Sequence, residues 1–385
     1  MSINYALSNE QTQLQKKFHE FCAEKIAPRA EGIEKAISIL LENYRLLGEQ
    51  HFFGLALPKK FGGQEQSLLT LILAWEELAK ACPSTFLSCG IGSSVAGISL
   101  LLFGAEAWEE KFLRELSQGQ KIGALALNEP HSGSEIFNLQ TTARASGAGY
   151  VLNGRKSFVT NGPIADFVIV MATNESVAPL PQRSSFFLIE KNTPGLIPGP
   201  ALEKLGALGA PVSELAFQNC FIPQDNLLGI DGEGSPYASQ IKDLLRLGFA
   251  AYSLGIAQAC LEESIIYAQK RQVGGKPIAR FQEVSFKIAD MQMLVDTGRL
   301  LLYRSAWMLD QKMKASVDIS LAKLFLSEAA TWCATMAVQI HGGYGFIKGY
   351  KVERLYRDAK LGEIGAGTSE MQRQAIARSL LEAGY

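Results

Sequence analysis

The sequence predicts an α+β chain in three parts: an N-terminal helical domain over residues 1–120, a central β-domain over 121–232 and a C-terminal four-helix bundle over 233–385. Helical spacing of apolar residues dominates both ends, and short β-branched runs broken by glycine turns fill the middle. The helices after residue 240 are long enough that they must lie side by side and bury one another.

The first helix opens at Ser8, whose spacing to Gln11 fits a capping box, and carries the stripe Leu14, Phe18, Phe21 and Ile26 until Pro28 stops it. Further helices are expected at 34–47, 68–82 and 105–117, with Pro58-Lys59-Lys60-Phe61-Gly62-Gly63 as a turn. Strands are expected at 122–127, 141–146, 150–152, 157–160, 167–172, 184–189 and 214–221. Gly147-Ala148-Gly149 and Asn153-Gly154 read as connecting turns, the second as a strong hairpin signal. The bundle helices follow at 241–272, 281–312 and 316–341, with the last starting at Ser369.

With 385 residues, 47% of them hydrophobic, and a net charge of −1, the chain is long enough for a large core. Lys and Arg are scattered among Asp and Glu rather than gathered into a stripe, which argues against a nucleic-acid partner. The apolar runs at 68–75 and 98–103 are short for a bilayer span, and Met1-Ser2-Ile3-Asn4-Tyr5 has no leader pattern, so no membrane association and a cytoplasmic location are expected. Cys22, Cys82, Cys89, Cys220, Cys260 and Cys333 stand singly, without metal-ligand spacing. They read as reduced, mostly buried thiols, and no metal is expected.

Several stretches carry chemistry. Asn128-Glu129-Pro130-His131-Ser132-Gly133-Ser134-Glu135 and Ser157-Phe158-Val159-Thr160-Asn161-Gly162 each end a strand in a polar loop. Two such loops at the mouth of one β-domain suit a flat heterocycle, with backbone amides and the Thr160 hydroxyl as donors. Arg271 ends a helix before Gly274-Gly275, a position for gripping a phosphate or for complementing the helix dipole. Gln339-Ile340-His341-Gly342-Gly343-Tyr344-Gly345 and Arg354-Leu355-Tyr356-Arg357-Asp358 follow. Gly365-Ala366-Gly367-Thr368-Ser369-Glu370-Met371-Gln372-Arg373 then reads as a glycine loop opening onto a helix, with Ser369 and Gln372 at capping-box spacing and free amides for an anion or an electron-rich ring.

In this order and spacing, these motifs resemble the acyl-CoA dehydrogenase flavoprotein family over essentially the whole chain. The resemblance implies FAD between β-domain and bundle, reaching a neighbouring subunit in a homotetramer or homodimer, and an acyl thioester substrate on CoA or an acyl carrier protein. It places Leu125, Leu127, Asn128, Gly133, Ser134, Phe158 and Thr160 around the isoalloxazine. Arg271, Gln282, Gln339, Gly342 and Gly343 would meet the pyrophosphate and adenosine of the partner subunit's cofactor, and Thr368 and Glu370 would contact the cofactor again. Gly274 stands where the family commonly has phenylalanine; Asn128 and Phe158 stand for the usual threonine and tryptophan.

One departure bears on mechanism. Family members that desaturate acyl thioesters take the α-proton with a glutamate while hydride leaves the β-carbon. The two usual positions of that glutamate are Ala366 and Leu245 here, and neither side chain accepts a proton. Three explanations compete. The base has moved, with Glu363, Asp243, Glu370 or His131 as candidates; the flavin activates oxygen; or the substrate needs no α-proton abstraction. The third is preferred. Oxidation of an aldehyde hydrate sends hydride to the flavin while a hydroxyl proton leaves to water. That chemistry fits the branch resembling polyketide extender-unit enzymes, which oxidise a carrier-bound three-carbon acyl group toward hydroxymalonyl or aminomalonyl thioester.

Overall fold

The computed structural model describes residues 7–104, 106–174 and 184–382, so the leader expectation at residues 1–5 lies outside the described residues. Helix α1 (Asn9–Phe21) begins with the full capping box: the Ser8 hydroxyl accepts from the Gln11 amide, and the Gln11 side chain accepts from the Ser8 amide. It passes through a π-turn (Cys22–Ile26) and stops in the short 3-10 turn (Ala27–Arg29) that holds Pro28. Helices α2 (Ile37–Glu49) and α3 (Leu68–Ala81) follow, close to their expected limits. The first amides of α3, Leu68 and Leu69, donate to the Asp310 carboxylate at 2.7 and 3.0 Å, which ties this layer to the distant bundle.

The next segment departs from expectation. Residues after Pro83 form a further helical run, α4 (Pro83–Phe86), a π-stretch (Leu87–Ser94) and α5 (Val95–Phe103), before α6 (Glu106–Ser117). Sequence periodicity misses it because nearly every residue is buried, so there is no polar face, and Gly90, Gly92 and Gly97 weaken the local helix signal. Pro83–Phe103 and Gly234–Lys270 are in fact long and apolar enough to match a bilayer span, but 83% of each such window is buried inside the protein. They are core helices by packing.

The β-domain comprises β1 (Gly123–Ala126), β2 (Thr142–Ser146), β3 (Gly149–Thr160), β4 (Phe167–Asn174), β5 (Ser184–Glu190), β6 (Leu196–Pro198), β7 (Val212–Pro223) and β8 (Leu227–Leu228). The sheet order is β6-β7-β3-β2-β4-β5-β8, and β1 lies parallel to β4. Asn153-Gly154 is not a hairpin. β3 runs straight through it with a register shift against β7, because Gly154, at φ 145°, lets the backbone press against Thr141, where a Cβ would come within 2.6 Å of the Thr141 Cα. The turn at Gly147-Ala148 does join β2 to β3.

After residue 233 come α7 (Gly234–Lys270), the two-residue strands β9 (Gln272–Val273) and β10 (Lys276–Pro277), α8 (Gln282–Asp310), α9 (Ser316–His341), α10 (Lys351–Ile364) and α11 (Ser369–Glu382). α9 is the central rod, packed by α7, α8, α10 and α11. α10 was not among the expected helices; its buried face carries Arg354 and Asp358, so polar residues interrupt the apolar period. A large apolar core joins the N-terminal layer to the bundle, and a second one fills the sheet. All six cysteines are free and buried.

Candidate active site

The two β-domain loops meet. The Ser157 amide donates to the Asn128 carbonyl at 2.9 Å, so the end of β1 and the end of β3 form one edge. Beneath that edge sits a charged pair that local sequence signals did not reveal. Lys156, wholly buried, donates to Glu129 Oε1 at 2.7 Å and to the Leu127 carbonyl at 3.2 Å. Glu129 also accepts from the Gln140 and Thr141 amides at 2.7 and 3.0 Å. Burial pulls Lys156 down to about 8 against the pull of Glu129. Burial also opposes the Glu129 charge, but Lys156 and the amides outweigh it and hold the carboxyl below its usual range. The pair therefore remains ionised at neutral pH and fixes the loop that starts at Leu127.

Register shifts of β3 against β7 between Lys156 and Val159 turn Phe158 outward at φ 53°, leaving it 68% exposed. Leu125, Asn128 and Thr160 are half-buried beside it, Gly133 and Ser134 are exposed, and Leu127 is buried. Asn161, at φ 68°, anchors the second loop to the helical layer. Its amide nitrogen donates to the Tyr44 hydroxyl at 3.1 Å and to the Ser88 and Gly123 carbonyls at 3.0 and 3.1 Å, and its oxygen accepts from the Ser88 hydroxyl at 2.5 Å. His131 is exposed, with Nε2 3.6 Å from Glu129 Oε2.

At the end of the bundle, Arg271 follows the last turn of α7, and Gly274 and Gly275 take φ of 59° and 78° to close the β9–β10 hairpin. Arg271, Tyr267, His341, Gly342, Gly343 and Tyr344 line a cavity of about 460 Å³. His341 stacks on Tyr267 with centroids 4.1 Å apart, and burial lowers its pKa, against the Ala337 carbonyl that accepts from it. Gln282 and Gln339 are exposed nearby in sequence but do not line this cavity, and among the described residues none of the β-domain lines it.

The loop before α11 differs from its expected capping. Thr368, not Ser369, occupies the cap: its hydroxyl accepts from the Met371 amide at 3.4 Å, and its carbonyl takes the first helical bond from Gln372. Ser369 is already inside the helix with its hydroxyl buried and unpartnered. Gln372 turns back to the Ala366 and Gly367 carbonyls at 3.3 and 2.9 Å instead of completing a box. The reason is conformational: Ala366 and Gly367 take φ of 54° and 92°, so the chain enters the helix one residue earlier and leaves those carbonyls facing Gln372. Lys323 of α9, wholly buried, donates to the Gly367 carbonyl at 2.7 Å and to the Glu363 carbonyl at 3.4 Å.

Both places where the resemblance puts a glutamate, Ala366 and Leu245, pack against the main core. The three carboxylate candidates are engaged elsewhere, whereas His131 is exposed on its loop. Glu363 accepts from Lys360 at 2.6 Å. Burial opposes its charge, but Lys360 and Thr331 prevail and lower its pKa. Asp243 accepts from Arg246 at 2.9 Å and from Ser316 at 2.5 Å. Glu370 is exposed and held below its usual range by its own amide and the Thr368 hydroxyl, as expected for a carboxylate at a helix N-terminus.

Residues 8–120, 124–220 and 232–381 match, in turn, the families described as acyl-CoA dehydrogenase N-terminal, middle and C-terminal domains. The chain belongs to the acyl-CoA dehydrogenase family. It is 39% identical over 377 residues to an acyl-CoA dehydrogenase of Bacillus subtilis (strain 168), covering 97% of this chain and 99% of that one. Among solved structures it is similar to the prolyl acyl carrier protein oxidase AnaB, with a TM-score of 0.90, 34% identity and coverage of 97% and 100% of the two chains. It is similar also to PigA with FAD and proline, with a TM-score of 0.92, 32% identity and coverage of 99% and 100%. Like its relatives, the chain is an FAD-dependent acyl-thioester oxidoreductase.

The residues fit that cofactor. Around Gly133, Gly274, Gly342 and Gly343 even an added Cβ would meet nothing within 4 Å, so backbone is open to a ligand at both the loop edge and the bundle end. The N-terminus of α11 and the guanidinium of Arg271 add the donors that a pyrophosphate or a reduced ring requires.

Proposed function

We propose that the protein oxidises an acyl thioester carried on an acyl carrier protein, taking hydride from the β-carbon without a glutamate base. The observation that carries this reading is the state of the carboxylates: the two customary positions hold Ala366 and Leu245, and Glu363 and Asp243 are committed to cations while Glu370 is committed to a helix cap. A saturated acyl thioester would find no free carboxylate at those positions. A hydrated aldehyde at the β-carbon requires none, since loss of hydride from its carbon and of a hydroxyl proton to water yields the carboxylic acid.

FAD, once bound, supplies the two-electron acceptor. Leu125, Leu127, Asn128, Gly133, Ser134, Phe158 and Thr160 would flank its ring system on the edge that Glu129 and Lys156 brace. Arg271, Gln282, Gln339, Gly342 and Gly343 would serve the cofactor of a second copy, since among the described residues none of the β-domain of the same chain lines the cavity at the bundle end. Thr368 and Glu370 would meet the cofactor from α11. A homotetramer or homodimer is the assembly that this division of the site calls for, and a cytoplasmic location belongs to the same proposal. The similarity to the prolyl acyl carrier protein oxidase AnaB favours a carrier-bound substrate, and polyketide extender-unit formation is the setting proposed for it.

Anaerobic bleaching of the bound flavin tests the reading. A β-aldehyde derived from a glyceryl-type acyl group on a carrier protein should bleach it, whereas butyryl- and octanoyl-CoA should not. Rapid bleaching by those saturated thioesters would refute it in favour of a conventional dehydrogenase with a relocated base, the reading that the Bacillus subtilis relative favours. Oxygen consumption coupled to product hydroxylation would favour an oxygenase.

A further inference from the structure

Position 366 holds no carboxylate, and Lys323, which acts electrostatically on Arg246, donates to the Gly367 carbonyl of the same loop. Nearby carboxylates are already paired: Glu363 with Lys360 at 2.6 Å, Glu328 with Arg373 at 2.7 Å, and Asp243 with Arg246 at 2.9 Å. Among the described residues Lys323 donates only to carbonyl oxygens, at Gly367 and Glu363, although it is wholly buried. Burial first, and Arg246 second, pull it down to about 8, so at neutral pH it still carries most of its charge and lies within electrostatic reach of the guanidinium. Arg246 is 9% exposed, spends one terminal nitrogen on Asp243, and leaves Nε buried with no hydrogen-bond partner. Arg246 is thus a buried cation with one carboxylate partner and an unused Nε donor, beside the apolar Leu245, while the carboxylates of Glu363, Glu328 and Glu370 act on Lys323 without a hydrogen bond to it. A buried donor without an acceptor is unfavourable.

We propose that Arg246, backed by Lys323, is an anion subsite that receives a carboxylate at the β-end of the acyl chain. The substrate class is then an acyl thioester whose far end is, or becomes on oxidation, an ionised carboxyl group. The inference rests on the acyl-thioester reading above and deepens it: oxidation of a β-aldehyde would generate this anion, and Arg246 selects for it.

Binding separates this inference from the redox reading, because no turnover is needed. Holoenzyme is titrated by calorimetry with malonyl and propionyl groups, each presented on CoA and on a phosphopantetheinylated acyl carrier protein. The two acyl groups have the same number of carbons and differ in the terminal carboxylate. Malonyl should bind at least about tenfold more tightly, the scale of one charge-assisted hydrogen bond. Arg246→Gln should bring the ratio to within about threefold while leaving propionyl affinity in place, and Arg246→Lys should retain part of the preference. Ala366→Glu, which leaves Arg246 intact and supplies an internal carboxylate, should abolish the preference as well. A ratio near one in the unaltered protein, or an undiminished ratio in Arg246→Gln or in Ala366→Glu, overturns the anion subsite and leaves the dehydrogenase reading to its own bleaching test. Binding of neither acyl group on either carrier overturns both.

Discussion

Ala366→Glu puts a carboxylate where the chain has a methyl group, and its consequences can be worked out from the surroundings. Position 366 already takes φ 54°, so the left-handed cost of roughly 1–2 kcal/mol is present in the unaltered chain and does not grow with the new side chain. The new carboxylate is partly desolvated, at a cost of several kcal/mol. Lys323, bonded to the Gly367 carbonyl one residue away, opposes that cost. At about 5 Å and an effective dielectric near 20, the attraction is roughly 3 kcal/mol. The two terms nearly cancel, so the variant should fold with a melting temperature close to that of the parent. If base loss is what silences desaturation, a positioned carboxylate should raise the rate of flavin bleaching by butyryl-CoA by about 10²–10⁴-fold. Stopped-flow absorbance under anaerobic conditions measures this, with FAD content checked beforehand. Ala366→Gln is the control, since it matches the size but accepts no proton. A fully loaded Ala366→Glu protein with no gain over Ala366→Gln would refute the argument that the missing glutamate alone separates this site from a conventional one.

Other perturbations test the scaffold. Glu129→Ala strands the buried Lys156 and two backbone amides, and should lower the free energy of urea unfolding by about 3–5 kcal/mol, whereas adding Lys156→Met should recover most of it; a loss under 1 kcal/mol would contradict the role given to the pair. Burial pushes the Asp358 carboxyl from its ordinary 3.8 up to about 6, with Oδ2 unpartnered. A raised acid binds more protons in the folded state, so its contribution is present below 3.8 and lost as pH rises through 6: about 3 kcal/mol in full, of which about half falls between pH 5 and pH 7.5. The stability of the parent relative to Asp358→Asn should therefore decline over that interval, and parallel urea-unfolding curves would exclude the effect. Asn161→Ala removes hydrogen bonds to Tyr44, Ser88 and Ser93 of the helical layer and one to Gly123 of β1, and should cost about 2–3 kcal/mol while reducing FAD retention on gel filtration; an unchanged FAD content would detach this anchor from the cofactor edge.

Much of this was legible along the chain because the signals are local. The capping box at Ser8, the bounds of α9 and the turn at Gly147-Ala148 depend on residues within a few positions of each other, and the structure reproduces them. Where a local signal competed with packing, it lost. Asn153-Gly154 has hairpin composition, yet continuous pairing of β3 with β7 overrode it, and the fully buried segment after Pro83 has no polar face for periodicity to reveal. Ser369 is a good capping residue displaced by Thr368, because the positive φ at Ala366 and Gly367 set where the helix starts.

The chain by itself determined which side chains are available: helical ends around a β-rich middle, the loops that precede Ser134 and Thr160, the arginine at 271, and the absence of a carboxylate at 245 and 366. Tertiary structure alone decided which charges remain unmatched. Lys156 finds Glu129 from 27 residues away and Lys323 finds the Gly367 carbonyl from 44, while Glu363, Asp243 and Glu328 are taken by other cations. The identity of a charged residue is covalent, but its energy depends on burial and on the counter-ion that folding brings beside it.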